Sequence, residues 1–148
     1  MAQGESLTVE FKDKLPEKDK GAKEFLESVS AFANTRGGTI LVGISDNGVV
    51  HGVTEDPKWK DRLTEILRNR MEPVPNVEMR EAVYKGSRIY VIDVVQGGDP
   101  PYAVDIHNPI IYVRRGANDY FARRLDLDVM YASKYSDKQA TVGRLRGF

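Results

Sequence analysis

Near the start of the chain Leu7, Val9 and Phe11 alternate with Thr8, Glu10 and Lys12. A period of two predicts a half-buried strand with its charged side chains on the outer face. After Pro16 the spacing changes, and Ala22, Phe25, Leu26, Val29, Phe32 and Ala33 recur at helical intervals as one apolar stripe. Lys20 with Glu24 and Lys23 with Glu27 are i,i+4 pairs for the solvent side of that helix. It should stop near Thr35, because Gly37 and Gly38 supply the left-handed backbone that helix ends use.

The run from Gly38 to Ser45, GTILVGIS, suits a central strand buried on both faces. Asp46-Asn47-Gly48 then predicts a hairpin turn, with Val49 to Val53 as the returning strand. Asp56 before Pro57 resembles a helix cap followed by a first-turn proline. The helix it opens carries Trp59, Leu63, Ile66 and Leu67 inward and ends near Met71. Asn76 to Tyr84 and Arg88 to Val95 flank Lys85-Gly86-Ser87 as a second hairpin. A Gly/Pro-rich connection leads to a short strand from Ile110 to Arg114. A last helix is expected over Leu125 to Tyr135, with Leu127, Met130 and Tyr131 inward.

This order predicts one α+β domain over residues 1–136, a mixed sheet of about six strands packed by about three helices. Residues 137–148 lack periodicity and read as a tail that is mobile or partner-bound. The chain has 22 basic and 22 acidic residues, so it cannot coat DNA by bulk charge, and any nucleic-acid surface needs local segregation. The absence of cysteine excludes disulfides and thiolate zinc, and His51 and His107 have no ligand partner at recognisable spacing. No signal peptide is expected, and no apolar run approaches the roughly 20 residues that span a bilayer. A cytoplasmic protein with no membrane contact is the expectation.

Four segments together carry a family likeness: ESLTVEFK at 5–12, FANTRGGTILVGISDNG at 32–48, PPY at 100–102 and IYVRRGAND at 111–119. They resemble the AlbA-like domain of Schlafen-related proteins over roughly residues 5 to 124. The resemblance implies a DNA- or RNA-binding or regulatory module. In animal Schlafens a related core of two such modules forms a horseshoe that cleaves transfer and ribosomal RNA with a divalent metal. One module alone would build that horseshoe only as a homodimer.

The same resemblance aligns Glu5, Glu10 and Asp46 with the nuclease motif and sets Lys12 beside them. It thereby implies a magnesium or manganese site made of those carboxylates. Hard oxygen ligands suit either ion, and a bound ion activates water and neutralises a phosphate. Glu5 and Glu10 are an odd number apart, so they converge only if Glu5 sits in a loop or bulge ahead of Leu7. The structural alternative is a charged strand face and an ordinary turn aspartate.

Arg114, Arg115, Arg123 and Arg124 surround Tyr112, Tyr120 and Phe121, the interleaving that stacks on bases and grips phosphates. An edge strand dressed with charge against aggregation would read the same way. Lys58, Lys60, Arg62, Arg68 and Arg70 are more simply a solvated helix face. Asp93, in an apolar strand, suits a hydrogen-bonded carboxylate. No nucleotide cofactor is expected. Gly37 and Gly38 follow a helix C-terminus, whose partial charge repels phosphate, and Ile44-Ser45 stand where a phosphate loop after Gly38 and Gly43 needs Lys and Ser or Thr. Three functions follow: a nucleic-acid-binding module, a metal-dependent endoribonuclease acting on structured RNA such as transfer RNA, and a regulatory or oligomerisation domain.

Overall fold

The computed structural model describes residues 4–145. Strand β1 (Val9–Lys12) precedes helix α1 (Asp19–Asn34), then β2 (Gly38–Val42), α2 (Trp59–Arg70), β3 (Met71–Glu72) and β4 (Val77–Tyr84). There follow β5 (Ser87–Val94), β6 (Ala103–Val104), β7 (Ile110–Arg115), β8 (Asn118–Phe121) and α3 (Arg124–Leu145). The fold is α+β. In place of one sheet of about six strands there are two sheets of four, ordered β1-β2-β5-β4 and β3-β6-β7-β8. Strands β3 and β6, of two residues each, are too short to show a period, and β8 is polar and mostly exposed without alternation, which is why the sequence pattern did not reveal them. In the first sheet β1 runs parallel to β2, and the other pairings are antiparallel.

Helix α1 packs against both sheets. Its second half is therefore buried all round, Ser28 to Ala33 without a break, rather than along one stripe. The polar positions survive burial because each finds a partner in the second sheet. Ser30 Oγ donates to the Tyr102 carbonyl at 2.7 Å and accepts from the Tyr112 N–H at 3.2 Å. Asn34 Nδ2 donates to the carbonyls of Tyr102 and Tyr112 at 3.0 and 2.9 Å, and its Oδ1 accepts from the Tyr102 N–H at 2.7 Å. A buried polar group is tolerable only when so satisfied. Helix α2 closes the same core, with Trp59 stacked on Tyr90 at 4.1 Å between ring centroids.

Strand β2 ends at Val42 because Gly43 takes a φ of +107°. The turn at Asp46 and Asn47 forms, but the returning strand shrinks to a single bridge between Ile44 and Val50. Asp56 accepts from the Lys58 N–H at 3.0 Å in a turn, and α2 starts only at Trp59. The β4–β5 hairpin turns on Lys85 and Gly86, both with positive φ. In α3 only Met130 of the three residues expected inward is buried. Leu127 is half-buried and Tyr131 lies exposed, because neither core cluster reaches this helix. The helix runs past Tyr135 to Leu145; residues 146–148 of the expected tail lie outside the described residues.

Gly38 sits where a Cβ would stand 2.6 Å from the fully buried Phe32 ring, whereas a Cβ on Gly98 would meet nothing within 4 Å. Gly38→Ala is expected to cost about 1–3 kcal/mol by overpacking. Gly98→Ala should leave the urea midpoint within experimental error.

Candidate functional site

A tight turn at Leu7 and Thr8 resolves the odd spacing of Glu5 and Glu10. The Ser6 N–H donates to the Val9 carbonyl at 2.9 Å, so the chain ahead of β1 folds back along the strand. The Phe11 N–H then reaches Glu5 Oε2 at 3.4 Å, and the Glu5 and Glu10 carboxyls hydrogen-bond each other. The register of β1 on β2 puts Glu10 beside Ile40, which belongs to the main core, and Phe11 beside Leu41 on the opposite face. Both faces of β1 are thus covered, Phe11 in the second cluster and Glu10 toward the main core, and the burial of Glu10 corrects the expectation that the charged side chains lie outside. Glu10 is 8% exposed.

Burial, and next the hydrogen bond with Glu5, push the Glu10 carboxyl up to about 8. Lys12 and Arg114 pull it the other way without prevailing. The balance favours the protonated carboxyl.

Arg114 stands behind this pair. Its side chain is wholly buried, which removes it from the nucleic-acid-gripping role expected of it. The guanidinium donates to the Ser6 carbonyl from Nε at 3.1 Å and from Nη2 at 2.8 Å, and to the Val9 carbonyl at 2.9 Å. Nη1 lies 3.3 Å from Glu10 Oε1 and 2.8 Å from Asp119 Oδ1. Asp119 is the nearer partner and serves as the counter-ion. Ser28 Oγ donates to the other Asp119 oxygen at 2.9 Å, and the guanidinium also lies over the Phe32 ring at 4.8 Å. Asp119 and Ser28 were missed by sequence reasoning; the only signal was that Asp119 closes the IYVRRGAND segment.

Glu5, Glu10, Lys12 and Asp46 line one cleft of about 730 Å³. Its walls are the loop and first turn leading into α1, the Asp46 turn, and Ala117 and Asn118 of the β7–β8 connection. Asp46 is exposed on its turn, where Asn47 Oδ1 accepts from the Val49 N–H at 3.3 Å and bonds the Ser45 hydroxyl.

The arginine and aromatic cluster divides. Tyr112 is buried, donates its hydroxyl to Glu27 at 3.2 Å and is pushed up to about 12 by burial and the Glu27 charge. Tyr112, like Arg114, is therefore withdrawn from any ligand. Arg115 holds Asp126 through two 2.6 Å contacts at the start of α3, which keep the Asp126 carboxyl low after the Arg123 N–H bond has done most of that work. Tyr120, Phe121, Arg123 and Arg124 remain exposed along β8 and its junction with α3. Asp93 accepts from Thr39 Oγ1 at 2.7 Å and pairs with Arg80, a structural role as expected.

The family model described as Schlafen, AlbA_2 matches residues 5–123. This chain belongs to the Schlafen, AlbA_2 family. The same architecture occurs in the DIP2311 protein of Corynebacterium diphtheriae, 25% identical with a TM-score of 0.59. That match covers 80% of this chain but only 25% of the Corynebacterium protein. It also occurs in the N-terminal domain of an ATP-dependent DNA helicase RecG-related protein from Nitrosomonas europaea. There the identity is 23%, the TM-score 0.54, and the coverage 83% of this chain and 86% of the other.

In this Schlafen, AlbA_2 domain Glu5 and Glu10 are the right kind of donor for magnesium or manganese. Among the described residues, however, no three His, Cys, Asp or Glu side chains converge on a point that an ion could occupy. Glu5 and Glu10 stand together as a pair, with Arg114 and Lys12 beside them, and burial pushes Glu10 toward its protonated form.

Two outcomes follow. Arg114→Ala should destabilise the fold by about 3–5 kcal/mol by breaking a buried pair. Arg114→Lys should recover little in the same denaturation experiment, because one ammonium cannot replace the fork of donors. Separately, Glu10 binds its proton in the folded chain at pH values where an unfolded glutamate has lost it. Its contribution to stability is complete below the ordinary carboxylate range and is lost as pH rises through about 8. Thermal melts should show wild type losing stability across that window and Glu10→Gln losing much less.

Proposed function

We propose that this domain is a nucleic-acid-binding module that holds RNA or single-stranded DNA along the Glu10 cleft and the adjoining β8 edge. The observation that carries the reading is the gathering of Glu5, Glu10, Lys12 and Asp46 in one open cleft. Ala117 and Asn118 at its rim lead directly into the strand that exposes Tyr120 and Phe121. A cleft supplies backbone contacts and an exposed aromatic edge supplies a stacking platform, the two ingredients of single-strand binding. The upward push on Glu10 helps, because a neutral carboxyl does not repel a phosphate. Membership of the Schlafen, AlbA_2 family supports the same reading. A two-module horseshoe would need a homodimer of this chain, and light scattering on the purified chain would report whether one forms.

Fluorescence polarisation with a labelled single-stranded RNA tests it. Binding should persist in a chelator and weaken steeply as salt is raised from about 50 to 200 mM. Tyr120→Ala should lower affinity by about tenfold, within the 1–3 kcal/mol of a lost stacking contact. Absence of salt-sensitive binding to either RNA or single-stranded DNA would remove the reading.

The metal-dependent endoribonuclease is the second reading, favoured by the same co-location of three carboxylates and a lysine. It requires Asp46 to close on Glu5 and Glu10 when substrate or ion arrives. Cleavage of labelled transfer RNA with manganese or magnesium, abolished in a folded Glu10→Ala variant, would establish it. Cleavage that survives in the variant would mark a contaminant.

A further inference from the structure

The cleft is lined by both acids and lysines, and the lysines differ in how they are paired. A phosphodiester entering it meets Glu5, Glu10, Glu24 and Asp46. Even with Glu10 neutral, that approach is repulsive unless cations in the same cleft offset it. The segment from Lys12 to Lys20 supplies them. Its acids are already engaged: Asp13 with His51 at 3.1 Å, Glu17 with Lys14 at 3.1 Å, and Asp19 with Arg70 at 2.9 Å. Among the described residues Lys12, Lys18 and Lys20 have no carboxylate within ion-pair distance, and all three line the cleft. The Lys20–Glu24 pair expected from helical spacing does not form.

The segment is also held in place. Pro16 is buried, Leu15 packs against the main core, and Arg62 Nη2 donates to the Pro16 carbonyl at 3.1 Å. The lysine stems therefore project from an anchored loop, and a lysine ammonium serves a phosphate as a point charge without demanding one geometry.

We propose that Lys12, Lys18 and Lys20 form a phosphate track for the backbone of single-stranded nucleic acid, leading it along the cleft past Glu10. This rests on the nucleic-acid reading above and names the side chains that make approach to the cleft's carboxylates possible.

The test compares wild type, Lys18→Ala/Lys20→Ala, and Lys60→Ala/Arg68→Ala, whose cations lie on α2 outside the cleft. Each is titrated with a labelled single-stranded RNA over a salt series, with melting temperature as the folding control. The track variant should bind at least tenfold more weakly at low salt. Its salt slope should fall by about 1.4, from roughly 0.7 per lost phosphate contact on a single strand. The α2 variant should match wild type. If the track variant keeps both the affinity and the slope of wild type, the track is wrong while nucleic-acid binding stands. An equal loss in the α2 variant would also overturn it, by showing that general charge suffices. If wild type itself binds no nucleic acid, the underlying reading falls and takes the track with it.

Discussion

The buried guanidinium of Arg114 organises the functional end of this molecule. It is an ion taken out of water, and it is tolerable only because its donors meet the carbonyls of Ser6 and Val9, the Asp119 carboxylate and Glu10. Those partners come from the N-terminal turn, β1 and β8, while Arg114 itself stands on β7. One side chain thus fixes the second sheet to the start of the first and decides where Glu5 and Glu10 lie. Removing it would leave Asp119 as an uncompensated charge and the N-terminal turn without an anchor.

Helix α1 makes that arrangement possible. It lies between the sheets and has to satisfy both, so its apolar residues face the first while Glu27, Ser30 and Asn34 hydrogen-bond the backbone and Tyr112 hydroxyl of the second. Ser28 continues this polar line to Asp119 and so to Arg114. The helix that builds the core and the network that holds the acidic pair are parts of one construction. Stability and site geometry are coupled here, and substitutions in α1 will disturb both.

The chemistry of the cleft follows from where the charge is confined. Two carboxyls forced together under partial burial favour protonation, and the adjacent cations are spent on Asp119 or directed into the cleft. What remains is a cleft of carboxyls and lysines beside an aromatic edge.

Periodicity alone determined helices α1 and α2, the β4–β5 hairpin and the α+β class, because helix and strand spacing register local burial directly. The family segments likewise brought Glu5, Glu10, Lys12 and Asp46 together as candidates, and the required bend ahead of Leu7 was legible from their odd spacing. Only the tertiary structure decided that both faces of β1 are covered, that Tyr112 and Arg114 are buried, and that Asp119 and Ser28 join the candidate site. The reason is physical. Alternation records that two faces differ but not what covers each, and a charged face turns inward whenever another element, here Arg114 on β7, supplies enough partners to replace water.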